Sequence, residues 1–219
     1  MRPALLALGA ALVAGAALAD APTRVAVKPA AKAFGFLADY YKLAAPERSR
    51  FALAYSLQEK GRPSPARASL VDQGVETPLP TSPDGWITRL PGPEALARGA
   101  QVKVVIPEGS KPAMTMIPEA RLPAGSEVSV ADLEAASDQV AAVAKRVAGP
   151  LSFVFPKFNR VLFSGAQGAE AVDGKGQATP LPLWRGTPAL DLAARGDART
   201  VRFRTPPYHA LLAPPSKER

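Results

Sequence analysis

Cysteine is absent from the 219 residues, histidine occurs once and methionine three times. Without Cys there are no disulfides, Cys-ligated zinc, iron–sulfur clusters or thiol nucleophiles. One imidazole excludes any site built on two. No Gly-x-Ser-x-Gly or Ser-x-x-Lys is present, so the strained serine elbow and the serine–lysine pair are missing. Between Gly168 and Gly176 the phosphate-loop spacing fails, because Gly176 stands where Ser or Thr must hold magnesium. No cofactor and no metal site are expected. Proline, by contrast, is plentiful: 24 residues, recurring almost throughout. That frequency excludes a long helical bundle or coiled coil, while 47% hydrophobic residues exclude wholesale disorder.

The one long apolar run opens the chain. Arg2 precedes an uninterrupted stretch of Ala, Leu, Val and Gly from Ala4 to Ala19, which ends in Ala17-Leu18-Ala19 before Asp20. This is the pattern of a secretory signal peptide (1–19) cleaved near Ala19/Asp20. The run is short and Ala/Gly-rich for a membrane anchor. A periplasmic or secreted mature protein without a membrane span is the expectation. The formal charge of +8 falls by one on cleavage, because the leader holds Arg2 and no acid.

The remainder shows one order of signals twice. Val71-Asp72-Gln73-Gly74 leads to Thr77-Pro78-Leu79-Pro80, and Val172-Asp173-Gly174 leads to Thr179-Pro180-Leu181-Pro182. Ala97-Arg98-Gly99 and Ala194-Arg195-Gly196 each precede an alternating stretch, at Val102–Pro107 and Val201–Pro206. Upstream, Phe51–Tyr55 corresponds to Phe153–Pro156, each behind a helix-like segment, at 33–44 and 130–148. Two tandem units, 20–125 and 126–219, are expected from this internal repeat. The second helix carries the fullest local signature. Ser129 is placed as cap, Val128 and Leu133 as a hydrophobic staple, and Leu133, Ala136, Val140, Val143 and Val147 as an apolar stripe. Lys145, Arg146, Gly149 and Pro150 close it.

Short strands make up the rest: 51–57, 86–90, 102–106, 113–117, 151–155, 159–163, 189–192, 199–204 and 208–212. Asp84-Gly85 and Asp173-Gly174 are placed as turns. Prolines inside strands predict edges and bulges. The tails 20–30 and 213–219 read as frayed. The fold expected is mainly β (α+β), with two β-sandwich-like units each preceded by a helix.

Candidate sites follow from residue type. From Leu151 onward there are ten Lys/Arg against five Asp/Glu. Arg199, Arg202, Arg204 and Arg185 are candidates for binding anions, Arg202 and Arg204 from one strand face. Trp86 and Trp184 each follow a Thr-Pro-Leu-Pro segment; they are candidates for aromatic contact or for filling a core. His209 lies in an alternating, edge-like strand expected to face solvent. The helix-start acids Asp132, Glu134 and Asp138 read as a solvated face.

The segment Leu37-Ala38-Asp39-Tyr40-Tyr41-Lys42-Leu43, between a signal peptide and short strands, resembles small uncharacterised exported proteins of proteobacteria over residues 36–117. That resemblance implies export, no activity and no site residues. Taken together, the residues point to an exported, non-enzymatic periplasmic protein. It is expected to bind an envelope protein or anionic polymer through sheet edges or a basic face, with no nucleic acid expected. The alternatives are an envelope-directed hydrolase using Asp72, Asp173 and His209, and a module that dimerises through edge strands.

Overall fold

The computed structural model describes residues 22–148 and 157–215. In chain order the strands of the first part are β1 (Thr23–Pro29), β2 (Phe51–Glu59), β3 (Arg62–Pro63), β4 (Arg67–Asp72), β5 (Val75–Leu79), β6 (Gln101–Pro107) and β7 (Ala113–Ala120). They are followed by β8 (Glu127–Ser129), β9 (Arg160–Ser164), β10 (Glu170–Asp173), β11 (Ala178–Pro180), β12 (Leu183–Trp184), β13 (Thr187–Asp191), β14 (Ala198–Arg202) and β15 (His209–Ala213). Helices are α1 (Ala30–Ala33), α2 (Leu37–Lys42), α3 (Pro93–Ala97) and α4 (Val130–Ala148), with a 3-10 turn at Ala45–Arg48. The protein is mainly β, as its alternation and turn chemistry predict.

Among the described residues all strand pairs are antiparallel and form three sheets. One small sheet runs β1-β6-β4-β5 and the other β8-β14-β10-β11. The large one has seven strands, β12-β13-β9-β15-β7-β2-β3. Its middle is a seam between the two parts of the chain, where β7 lies against β15 through Leu211 opposite Glu119. Pro118 explains why that pairing is so short. Arg121 N–H bonds to Arg50 O on the β2 side, so by alternation position 118 turns its nitrogen toward β15. Proline has no hydrogen to offer there. This Pro thus lies in a mid-sheet strand, one residue beyond the 113–117 expected, and the ladder to β15 stops beside it.

Period-two alternation gives the large sheet two faces. Phe51, Leu53, Tyr55 and Leu57 of β2, Val161 and Phe163 of β9, and Ala210 and Leu212 of β15 point inward. They join Leu133, Ala136 and Val140 of α4 in one core spanning both parts of the chain. A smaller cluster, Ala54, Leu162, Ala189 and Leu211 under Trp86, lies on the outer face. The bounds of α4 match the 130–148 expected from its apolar stripe. Ion pairs Arg50–Asp132 and Arg146–Glu47 and the Gln139 side chain, which bonds at Pro46, Ser49 and Arg50, clamp it to the first part.

Several expectations change. The first helix is two short ones, because Gly35 and Phe36 interrupt it and Phe36 adopts φ 67°. Residues 23–29 are an ordered strand, not a frayed tail. The stretch 86–90 reduces to isolated bridges at Trp86 and Ile87. The expected strand at 151–155, and with it the Phe153–Pro156 correspondence, lies outside the described residues. Among the described residues, no helix is long and apolar enough to cross a membrane.

Candidate functional site

The four arginines proposed as an anion site do not converge. Arg202, the last residue of β14, donates from Nε to Glu127 on β8 at 2.7 Å and stands opposite Glu170 on β10. A carboxylate on each side neutralises it, and the Glu127 hydrogen bond raises its pKa. Arg204 lies beyond the strand and packs its stem on Gly168, where an added Cβ would come within 2.9 Å. Arg202 and Arg204 therefore do not form one strand face. Arg199 runs beside Gly174 in the β10–β11 turn. Arg185 is on a different sheet.

The two tryptophans part company as well. Trp86 is 4% exposed and fills the outer face of the large sheet. Trp184 is 37% exposed on the short edge strand β12, next to Leu183 at 67%. The Arg185 guanidinium lies 4.7 Å from its ring centre and that of Arg160 6.0 Å. The β12–β13 turn sets this geometry, with Arg185 and Gly186 at φ 51° and 83°, the left-handed pair of a tight hairpin.

His209 does not face solvent freely. Its Nδ1 lies 2.6 Å from Glu119 Oε2 across the seam, and the Trp86 ring packs at 5.3 Å. Directly opposite on β9 is Ser164, whose hydroxyl donates to Asp84 at 2.8 Å. Burial pushes the Asp84 carboxyl up. Hydrogen bonds from Ser82 and Ser164, with the nearby His209, outweigh that and leave it below the usual carboxylate range. A cleft of about 360 Å³ opens beside this cluster, walled by Glu119, His209, Tyr208, Pro207 and Leu122.

The other acids proposed for a hydrolase are elsewhere. Asp72 is paired with Arg98, which holds its pKa down. Asp173 accepts from the N–H groups of Lys175 and Gln177 in its own turn. They lie in separate small sheets, and neither meets His209. Glu119 does, and it was not proposed from the sequence, since ninety residues separate it from His209 and only strand order reveals the contact. A second, apolar groove of about 320 Å³ is lined by Phe36, Tyr40, Leu43, Leu53, Val143 and Phe158.

Compared with family models, curated proteins and solved structures, the chain matches none of them.

Proposed function

We propose that the protein is an exported, non-enzymatic binding protein of the cell envelope that meets a partner protein or anionic polymer through an exposed sheet edge. The observation that carries this reading is the β12 hairpin: Leu183 and Trp184 stand out from an open edge, with two guanidinium groups against the indole. Rigid aromatic side chains flanked by Arg are the residue types that concentrate binding energy at interfaces. The leader at 1–19 supports a periplasmic or secreted location. The units 20–125 and 126–219 are proposed as copies of one ancestor. The matching orders of the two small sheets support this, because in each the strands lie in the order first, last, second, third along the chain.

A photo-crosslinking side chain at Leu183, in the chain expressed with its leader, tests the reading. A discrete adduct that Trp184→Ala abolishes supports it. Labelling no stronger than that from the same probe at Val75, an exposed residue of another edge, overturns it.

The hydrolase reading keeps one favourable observation, the His209–Glu119 pair through Nδ1 with Ser164 on the neighbouring strand. A fluorophosphonate probe that labels the wild-type chain at Ser164 but not His209→Ala supports a serine form of that alternative; absence of labelling removes the serine form.

A further inference from the structure

Among the described residues each sheet has two edges, and most are blunted against further strand pairing, which leaves β12 its side chains to offer but no ladder. β5 carries Pro78, β11 ends in Pro180, and β3 contains Pro63. β8 and β12 are three and two residues long. Proline and brevity are the usual protections of a sheet edge. β1 is longer, and its seven residues, Thr-Arg-Val-Ala-Val-Lys-Pro, leave six positions before the closing proline, guarded instead by the charges of Arg24 and Lys28.

Hydrogen-bond parity shows what this edge offers. Glu108 N–H bonds to Pro22 O, and Ala30 N–H to Ala100 O. With an unbroken register between these points, the even residues Arg24, Ala26 and Lys28 exchange bonds with β6. Thr23, Val25 and Val27 turn their N–H and C=O groups outward, and no described residue pairs with them. The side chains of Val25 and Val27 are 56% and 54% exposed. On the opposite face, Arg24 and Lys28 flank Ala26 and are both exposed.

That charge arrangement selects the occupant. A second copy pairing antiparallel over the whole strand would centre on Ala26 and place Arg24 opposite the copy's Lys28 twice, two like-charge pairs. An incoming strand with acids four residues apart meets Arg24 and Lys28 favourably. β-Branched residues between those acids meet Val25 and Val27. We infer that the outer edge of β1 binds an extended acidic segment of a partner protein by strand addition, the chemistry being Glu-Val-x-Val-Glu or its equivalent. This rests on the same reading of the chain as a binding protein, but on a different surface from the β12 hairpin.

The test uses two fluorescein-labelled heptapeptides, T-E-V-T-V-E-T and T-K-V-T-V-K-T, followed by anisotropy with the full chain. The acidic peptide is expected to bind about tenfold more tightly or better, from two cross-strand charge pairs, and Arg24→Glu with Lys28→Glu to reverse that order. Val25→Pro removes an outward N–H without touching the β1–β6 ladder. It should abolish binding while the melting temperature stays within a few degrees. Trp184→Ala should leave peptide affinity unchanged, which separates this surface from the one proposed above. Equal affinity for the two peptides overturns the inference. So does binding that survives Val25→Pro, no binding at millimolar chain, or a wild-type dimer in sedimentation that Val25→Pro converts to monomer.

Discussion

Gly85 and Gly74 both adopt left-handed backbone, at φ 87° and 81°, yet alanine should cost very different amounts at the two. An L-residue pays roughly 1–2 kcal/mol in that region. At Gly74, in the β4–β5 turn, an added Cβ meets nothing within 4 Å, so the strain is the whole cost. At Gly85 it would lie 3.2 Å from Pro63 Cα, 3.2 Å from Pro63 Cβ and 3.3 Å from Leu57 O. Most of those atoms belong to backbone, and Leu57 N–H already bonds to Gly85 O. The chain has little room to give, which adds about 1–2 kcal/mol of overpacking. Gly74→Ala should therefore lose about 1 kcal/mol and Gly85→Ala about 3 kcal/mol. Urea unfolding followed by circular dichroism resolves the difference as a midpoint gap of roughly half to one molar at unchanged slope. Coincident midpoints, or a Gly74 variant less stable than the Gly85 variant, would refute the steric reasoning.

Tyr55 and Asp84 give opposite pH limbs. Burial, with Tyr41 adding to it, raises the Tyr55 phenol, whose hydroxyl donates to Gly35 O at 2.5 Å. Above about pH 10 the unfolded chain deprotonates first, so this stabilisation is complete below that pH and declines as pH rises. Tyr55→Phe should flatten the alkaline fall and cost about 1 kcal/mol at neutral pH; identical alkaline limbs in urea titrations would contradict this. The depressed Asp84 carboxyl acts in the other direction. Its contribution is complete above the ordinary carboxylate range and is lost as pH falls through its lower folded value. Asp84→Asn should be less stable than wild type at pH 7, and its midpoint should decline less between pH 5 and 2. An unchanged acid limb would show that the Ser82 and Ser164 bonds do not hold the charge.

Local signals made α4 and most strands legible, because cap, stripe and stop lie within 22 residues, Ser129 to Pro150. β1 was hidden for the opposite reason. Six of its seven residues are exposed and Ala26 is only half-buried, so neither face marks an inside, and its partner β6 lies over seventy residues away. The site divided along the same line. Trp184 and Arg185 are sequence neighbours, and their contact follows from one tight turn. Arg202 looked like part of a basic face because Glu127 and Glu170 reach it from β8 and β10, separated from it by 75 and 32 positions in the chain. Sheet order also sets His209 against Glu119 and Trp86, which spacing alone could not reveal.

Side by side at the centre of the large sheet, β7 and β15 serve as each other's cover. Either part of the chain made alone would present a bare mid-sheet strand and half of an apolar interior to water. Anyone wishing to study one part by itself must supply a surrogate strand along that line. By the same logic, a nick in the 121–126 connection should leave the two pieces held together.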